Sequence, residues 1–582
     1  MRQIIRTLLC LMAVALFTCR MPADACTAVY IGRNCSASGN VIIARSADSH
    51  NFLRHIEIVP AQKGKPGRVI KDMDGFVWSL PDDTYKYVGV PYADIVDIGH
   101  YASAVTNECG LAVSATVTGY NCPAAKAADP NVPDGISEKT LPSILAACCR
   151  TAREAVELTA RIVDEKGSSE QNVVMMADAN EAWYMEIYSG HQYCAVKMPE
   201  DLVAVLGNEF MLGTVEGGDD SLICSEGLFS IPEAKGFAVK EADGRMNLSR
   251  TYMGDGRYYD FSHMRTWRGH QLLAPATAGK YNAKKAYPLF FAPEGKVSLA
   301  QVMSLFRDRY QGTQYDPDVN GRQDIRVIGE EEQGMVHIIE VYDNVPSEMA
   351  CVTWLTLSEA AYAPFIPISN AINDCDRRYS HEVTRFGYDS SSATMLYKRL
   401  NSLCAQKRQL YGPNVRKYWE AVESHLIEEM PKVLAEAASG KYGKARLSSY
   451  CRSLQVEALS DAQRIFDELT WYMVNNTYTY TYDYSFETLK DTKAADAAPF
   501  DPLCDVERFA KWTGWKSDGL TFTSADGASV IFETSNGHKN DSGSISFNSR
   551  DGFNYRIDGR VESIDSKLYA PFTALVRVGM IK

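Results

Sequence analysis

The stretch that decides the fold is residues 26–48, CTAVYIGRNCSASGNVIIARSAD. It holds two β-branched runs, TAVYIGR and NVIIAR, separated by Gly, Ser and Asn residues that favour a turn. This pattern predicts two short strands of an antiparallel hairpin. The first strand begins just after Cys26, and the second closes on Arg45-Ser46-Ala47-Asp48.

The residues before Cys26 have the parts of a secretory signal. A basic start and an apolar run over 8–17 lead to Ala23-Asp24-Ala25, which has the small-x-small form of a cleavage site. The sequence therefore predicts export to a periplasmic or extracellular location, with removal of residues 1–25. A lipid anchor on Cys19 is the alternative, and it would leave the chain associated with a surface.

Length and charge narrow the class of protein. The chain of 582 residues is 46% hydrophobic, which is enough to bury a large core in two or three domains. Its net charge of −13 speaks against binding to nucleic acid or to anionic membranes. No run after the signal approaches the roughly 20 apolar residues of a membrane span, so none is predicted.

The number of cysteines indicates how many disulfides the exported chain could form. Thirteen of the fifteen cysteines follow residue 25, and in an oxidising compartment this odd number predicts up to six disulfides and one free thiol. The adjacent pair Cys148-Cys149 and the absence of any CxxC argue against a disulfide scaffold or a zinc ribbon. Some cysteines are therefore expected to be buried as small hydrophobic residues.

The periodicity of the rest of the chain predicts an α+β fold, with two stacked sheets and helices outside them. Helices are predicted at 137–168, at 298–310 and over 390–475, with a break at Gly412-Pro413. An alternating tyrosine run at 475–486 predicts a strand. Two strands joined at Asn107–Gly110 are predicted over 102–117, and other strands are predicted at 55–60, 173–178, 182–189, 193–199, 202–208, 335–342 and 350–357.

The familiar catalytic signatures are missing from the sequence. It has no GxSxG, HExxH, P-loop or GxGxxG motif. His263 and His270 lie seven residues apart without a clustered third ligand, so neither a metal site nor another cofactor is predicted.

Cys26 itself offers a different chemistry. If cleavage follows Ala25, this residue carries a thiol and a free α-amine, whose ordinary pKa values are about 8.5 and about 7.7–8.0. The amine can act as the base for its own nucleophile, so no histidine is needed. Arg45 is the candidate cation that stabilises the thiolate, and Asp48 is the candidate partner of the ammonium group.

These residues and the motifs that follow resemble peptidase family C69, in the choloylglycine hydrolase superfamily of N-terminal nucleophile hydrolases. The motifs span about residues 26–370 in the expected order. They are Cys26-Thr27, Ala44-Arg45-Ser46-Ala47-Asp48, Asn107-Glu108-Cys109-Gly110, Ser114-Ala115-Thr116, Ala177-Asp178-Ala179-Asn180-Glu181-Ala182-Trp183, Asn208-Glu209-Phe210 and Arg265-Thr266-Trp267.

The resemblance implies a four-layer αββα sandwich and a cysteine-type dipeptidase. By position it gives catalytic roles to Cys26, Arg45, Asp48, Asn208 and Arg265. Asn208 would contact the reacting region and donate to the oxyanion, and Arg265 would lie behind the nucleophile, with Arg268 as the alternative. Related amidases have an oxyanion asparagine where this chain has Thr116-Val117, so Thr116 or a backbone N–H is the expected second donor.

Asn107 has a second interpretation, as a turn residue with positive φ before Gly110. This structural role is preferred over a direct part in catalysis.

The resemblance also suggests a division of the chain. After the signal, residues 26–380 are predicted to form the catalytic domain and 381–488 a helical extension. A linker at 489–502 and a small β domain at 503–582 follow.

The predicted function is hydrolysis of dipeptides or short peptides by an exported enzyme that could form oligomers. One alternative is an amidase that acts on N-acyl amides such as conjugated bile salts. The other is a surface-binding protein without catalytic activity.

Overall fold

The computed structural model describes residues 26–49, 53–93, 102–114, 119–216, 220–256, 258–322, 324–384, 388–440, 443–477, 498–535, 543–550 and 553–581. The strands, in chain order, are β1 (Ala28–Ile31), β2 (Val41–Asp48), β3 (Glu57–Val59), β4 (Val69–Lys71), β5 (Val77–Ser79), β6 (Tyr87–Pro91), β7 (Ala102–Asn107), β8 (Ala112–Ser114), β9 (Asn172–Ala177), β10 (Ala182–Ile187), β11 (Tyr193–Lys197), β12 (Val203–Leu206), β13 (Leu222–Cys224), β14 (Gln333–Val341), β15 (Cys351–Thr356), β16 (Ile366–Ser369), β17 (Leu503–Asp505), β18 (Lys516–Asp518), β19 (Thr521–Thr523), β20 (Ser529–Glu533), β21 (Ser544–Asn548), β22 (Asn554–Asp558), β23 (Glu562–Ile564) and β24 (Lys567–Pro571).

The helices, in chain order, are α1 (Pro123–Ala128), α2 (Leu141–Cys148), α3 (Ala152–Lys166), α4 (Ser230–Lys235), α5 (Leu248–Met253), α6 (Asp260–Leu273), α7 (Pro275–Ala278), α8 (Leu299–Leu305), α9 (Pro317–Asn320), α10 (Arg377–Ser380), α11 (Ala393–Gln406), α12 (Arg408–Tyr411), α13 (Pro413–Ala438), α14 (Gly443–Thr477), α15 (Val506–Thr513) and α16 (Phe572–Arg577).

The first sheet contains the predicted hairpin. In the described part of the chain its strand order is β12-β1-β2-β14-β15-β16, and all neighbours are antiparallel. All eight residues of β2 are buried. An antiparallel strand with one solvated face would alternate, so both faces of β2 are covered by protein.

The second sheet lies face to face with the first. Its strand order is β13-β11-β10-β9-β8-β7-β6-β3. Along β9, Val173 and Met175 share a core with β1 and β2, whereas Val174 and Met176 belong to a second core with α2 and α3. Because side chains alternate along a strand, one face of this sheet meets the first sheet and the other meets helices. On the far side, α6 packs on β12, and α13 and α14 pack on β16. The predicted αββα sandwich is confirmed.

Two predicted helices have different bounds. The helix at 137–168 is divided into α2 and α3, because Cys149 is extended and the Thr151 hydroxyl accepts a hydrogen bond from Glu154 N–H at 3.1 Å, which starts a new helix. The helix at 298–310 is shorter and corresponds to α8.

The helical region predicted over 390–475 consists, where described, of α11 to α14. The predicted break at Gly412-Pro413 is present, and a Cβ at Gly412 would lie 2.5 Å from the ring of Tyr362, so glycine is required for this close approach. A second break follows α13, where Gly440 has φ of 75°. The strand predicted at 475–486 is wrong at its start, because α14 continues there; its remainder lies outside the described residues.

The C-terminal segment packs on this helical region. Its described strands form two small sheets, β17-β24-β23 and β18-β19-β20-β21-β22. Leu503 N–H donates to the Glu468 carboxylate at 2.9 Å, and Arg508 pairs with Asp461 at 2.7 Å. Both acceptors belong to α14, so the long helix joins the C-terminal segment to the sandwich.

The prediction of disulfides is wrong. All thirteen cysteines from Cys26 to Cys504 lie in the described part of the chain, and each is a free thiol. Most of them are buried and pack as small hydrophobic residues.

Two predicted segments fall wholly or largely outside the described residues: the signal at 1–25 and the linker at 489–502. Among the described helices, none combines the length and the apolar character that a bilayer crossing requires.

A buried ion pair fixes α13 to the sandwich. The Glu423 carboxylate accepts hydrogen bonds from both terminal nitrogens of Arg307, at 2.8 and 2.6 Å, and from Phe365 N–H at 2.9 Å. Arg307 also donates to the carbonyl of Ala360 at 2.7 Å. Because both charges are buried, loss of one partner leaves the other uncompensated.

We expect Glu423→Ala to lower the free energy of unfolding by about 3–5 kcal/mol. Urea denaturation followed by tryptophan fluorescence measures this loss. Glu428→Ala on the same helix is the matched control, because Glu428 is exposed. Equal midpoints for the two variants would show that the ion pair does not hold α13 in place.

Candidate active site

The first hairpin brings Cys26 and Arg45 together. Ala28 lies opposite Arg45 in the β1–β2 register, and side chains two residues apart share a face of the sheet. Cys26 precedes Ala28 by two residues, and its Sγ accepts a hydrogen bond from Arg45 Nη1 at 3.2 Å. Arg45 is 1% exposed, and its guanidinium stays protonated, so the sulfur faces a permanent positive charge.

The environment of the Cys26 thiol opposes its ionisation in the full-length chain. Burial raises the pKa of the Cys26 thiol to about 11, whereas the charge of Arg45 acts in the opposite direction. The carboxylates of Asp48 and Glu138 raise this pKa further. With Ala25 attached, the Cys26 nitrogen is an amide and carries no charge. A free α-ammonium would add a second positive charge beside the sulfur and lower the thiol pKa.

Asp48 lies at the end of β2, 1% exposed. Its Oδ2 is 3.4 Å from Arg326 Nη2, and its Oδ1 is buried without a hydrogen-bond partner among the described residues. Burial raises the pKa of the Asp48 carboxyl, and the charges of Arg326 and Arg265 oppose that rise. The sequence analysis missed Arg326, because 278 positions separate it from Asp48 and only folding joins them.

Asn208 follows β12 and reaches Cys26 from the neighbouring strand. Its Oδ1 accepts hydrogen bonds from Cys26 N–H at 3.0 Å and from Arg265 Nη2 at 2.7 Å. Arginine has only donors, so the amide oxygen must face Arg265 and the amide nitrogen must face away. That nitrogen, Nδ2, is buried and has no acceptor among the described residues. Asn208 thus presents a fixed, unused donor close to Cys26.

Arg265, and not Arg268, contacts Cys26. Arg265 Nη1 donates to the Cys26 carbonyl and to Thr27 Oγ1, at 3.1 Å for the latter. Arg268 instead pairs with Asp308 at 2.7 Å. Both arginines lie on α6, three residues apart, and their side chains contact different neighbours.

Two buried carboxylates outside the predicted set hold the Asn208 segment. The Glu209 carboxylate accepts from Thr266 Oγ1 at 2.6 Å and contacts His263 Nδ1 at 3.1 Å, which ties the segment to α6. Glu186, on the second sheet, accepts from Met211 N–H at 2.5 Å. Glu209 lies inside a predicted motif, whereas no local pattern marked Glu186.

Thr116 and Asn107 were also considered as site residues in the sequence analysis. Thr116 lies outside the described residues. Asn107 ends β7 without a positive φ, which instead belongs to Gly110 at 83°. The Asn107 amide accepts from Leu111 N–H at 3.1 Å and donates to the Cys149 carbonyl at 2.7 Å, so its contacts are structural.

The two histidines considered as metal ligands are engaged in packing. His263 bonds to Glu209, and His270 stacks on Phe291 with ring centroids 3.7 Å apart. Within the described part of the chain, no group of three His, Cys, Asp or Glu side chains could hold a metal ion.

Comparison with known proteins gives a consistent family. The model of peptidase family C69 matches residues 25–421. Probable dipeptidase B of Streptococcus pyogenes serotype M1 is 30% identical over 72% of this chain and 86% of its own length. A probable dipeptidase of Salmonella dublin is 30% identical over 59% of this chain and 80% of its own length.

The likeness to solved structures is weak. A conjugated bile acid hydrolase from Clostridium perfringens covers 63% of this chain and 98% of its own, at 11% identity and a TM-score of 0.27. A score this low supports no conclusion beyond the architecture that the chain itself displays.

Proposed function

The chain belongs to peptidase family C69, and from this premise we propose that it hydrolyses dipeptides or short peptides with Cys26 as the nucleophile. The family membership makes it a peptide or amide hydrolase. The observation that carries the finer proposal is the 3.2 Å contact between Cys26 Sγ and Arg45. It couples a thiol at a predicted cleavage site to a buried cation, as activation of a cysteine nucleophile requires.

The proposed reaction starts when residues 1–25 are removed. The α-amine of Cys26 takes the thiol proton, and the thiolate attacks the scissile carbonyl. The resulting ammonium gives its proton to the leaving amine, so the C–N bond breaks and a thioester forms. The same amine then deprotonates a water molecule, which attacks the thioester and restores the thiol. Asp48, whose Oδ1 is unpartnered among the described residues, would hold the ammonium.

Asn208 would bind the oxyanion through Nδ2, since its Oδ1 is already held by Arg265 at 2.7 Å. We expect Asn208→Ala to lower kcat by about 10²–10³, the usual effect of removing one oxyanion donor. KM should change little, because the charge develops only in the transition state.

Steady-state kinetics on one dipeptide measures the Asn208 effect. Asn180→Ala serves as the control, because Asn180 lies at the exposed turn between β9 and β10. A loss that appears only in KM would contradict the oxyanion role.

We propose export because residues 1–25 have the pattern of a cleavable secretory signal. The signal-like residues 1–25 end where the hydrolase nucleophile begins, so secretion would also activate the enzyme. N-terminal sequencing of the protein secreted by its natural host tests this. A first residue of Cys26 supports the proposal, whereas a lipid-modified Cys19 contradicts it.

A substrate panel tests the proposed activity itself. The enzyme that begins at Cys26 should release amino acids from dipeptides faster than it cleaves glycine or taurine conjugates of bile acids. The reverse preference would assign it to the N-acyl amidases.

A further inference from the structure

A buried histidine lies beside the cation that contacts Cys26, and the reaction proposed above does not use it. His337, on β14, is the direct partner of Arg45 in the β2–β14 register, and it is 0% exposed. Directly opposite residues of an antiparallel pair point to the same face of the sheet, with Cβ atoms about 4.5–5.5 Å apart. The imidazole therefore lies next to the Arg45 side chain in the core.

The two register pairs form one row across the first sheet. Ala28 of β1 lies opposite Arg45, and Arg45 lies opposite His337. Cys26 precedes Ala28 by two residues and shares its face, and Arg45 Nη1 lies 3.2 Å from Cys26 Sγ. The Arg45 side chain thus extends from β2 toward β1, whereas His337 occupies the space on the β14 side.

The second sheet fixes the position of the imidazole. His337 Nε2 is 2.8 Å from Ser114 Oγ, and Ser114 lies on β8, so this hydrogen bond crosses the interface between the two sheets. His337 Nδ1 is buried and has no hydrogen-bond partner among the described residues. A buried polar atom without a partner lowers stability, so packing alone would favour an apolar residue at this position.

His337 is an uncharged neighbour for Arg45. Burial lowers the pKa of His337 well below its ordinary value, and the charge of Arg45 lowers it further. A neutral imidazole does not repel the guanidinium, and it does not attract it as strongly as a carboxylate would. The permanent positive charge of Arg45 is therefore directed at the Cys26 sulfur.

We propose that His337 is a positioning residue, which Ser114 holds in place and which keeps the Arg45 guanidinium against Cys26. It acts through Arg45, and the role requires no contact with the substrate. The inference rests on the proposed function, because the contact that His337 maintains is the one that activates the nucleophile.

The test follows the reactivity of Cys26 in the protein that begins at this residue. Alkylation by iodoacetamide is measured over a range of pH by mass spectrometry of the peptide that contains Cys26. We expect His337→Ala to be alkylated at least about tenfold more slowly at neutral pH, because a charge-assisted hydrogen bond to the sulfur is weakened. The midpoint of its pH profile should move upward. On a dipeptide, kcat should fall by a similar factor and KM should change little.

Three further variants separate positioning from damage to the core. His337→Gln keeps a neutral side chain that can reach Ser114, so it should restore most of the wild-type rate. Ser114→Ala releases the imidazole and should move the alkylation profile in the same direction as His337→Ala, which tests the inference even if His337→Ala does not fold. His270→Ala is the matched control: His270 is also buried and stacks on Phe291, so its loss should lower thermal stability and leave the profile unchanged.

An alkylation profile equal to that of wild type in both His337→Ala and Ser114→Ala would overturn the inference, whatever their stability. The same conclusion would follow if His337→Gln were as slow as His337→Ala, since a neutral side chain held by Ser114 would then be insufficient. Absence of dipeptide cleavage by wild type would overturn the proposed peptidase activity, while the alkylation profiles would still decide the role of His337.

Discussion

Replacing Cys26 with Ala is expected to abolish hydrolysis and to leave the fold intact. Loss of the nucleophile in a hydrolase that works through a covalent intermediate costs on the order of 10⁶ in kcat. The remaining groups, Arg45 and Asn208, cannot form the thioester. Cys26 lies before β1 and is half-buried, so we expect its replacement by Ala to leave β1 and the core in place.

Product formation from a dipeptide, measured by chromatography, gives the activity of Cys26→Ala, and thermal unfolding gives its stability. Cys109→Ala is the control: Cys109 is also a half-buried free thiol, but it lies at the turn after β7. We expect full activity from this control. Measurable turnover by Cys26→Ala would rule out the covalent mechanism.

Local sequence pattern predicts only those site residues that belong to the β1–β2 hairpin. Cys26, Arg45 and Asp48 lie within 23 residues, and the alternation of a strand decides which of them share a face. Arg45 Nη1 accordingly contacts Cys26 Sγ, and Asp48 ends the same strand, where it pairs with Arg326. Hairpin register and side-chain alternation are local properties, so they can be predicted without the rest of the fold.

Asn208 and Arg265 were placed only by resemblance to a family. No local rule brings α6 against the two residues before β1, because that contact depends on how the helix packs on β12. Arg326 and Glu186 carry no motif that was recognised and come from segments far apart in the chain. Their proximity is a result of tertiary packing, which periodicity does not encode.

The errors in the fold have similar causes. Apolar spacing predicted helix throughout 137–168, but it does not register the Thr151 cap that starts a new helix. The alternating run at 475–486 favoured a strand, and its first residues instead extend α14. The disulfide prediction counted cysteines without knowing the distances between them. In the fold, even the adjacent residues Cys148 and Cys149 are both free thiols.

Retention of a single residue before Cys26 is expected to lower kcat/KM by about 10²–10⁴, the usual contribution of a general base. A peptide nitrogen cannot take a proton, whereas a free α-amine, with a pKa of about 7.7–8.0, can do so at neutral pH. The loss should exceed a base effect alone, because the uncharged amide also leaves the thiol pKa at about 11.

Two proteins test this expectation, one that begins at Cys26 and one that begins at Ala25, each released from a cleavable fusion. They differ by one small residue, so unequal folding would be visible as unequal thermal unfolding. We expect iodoacetamide to alkylate Cys26 faster in the shorter protein, since its α-ammonium favours the thiolate. Equal hydrolysis by both would mean that another group supplies the base. Equally slow alkylation of both would mean that the free α-ammonium of Cys26 does not lower the thiol pKa.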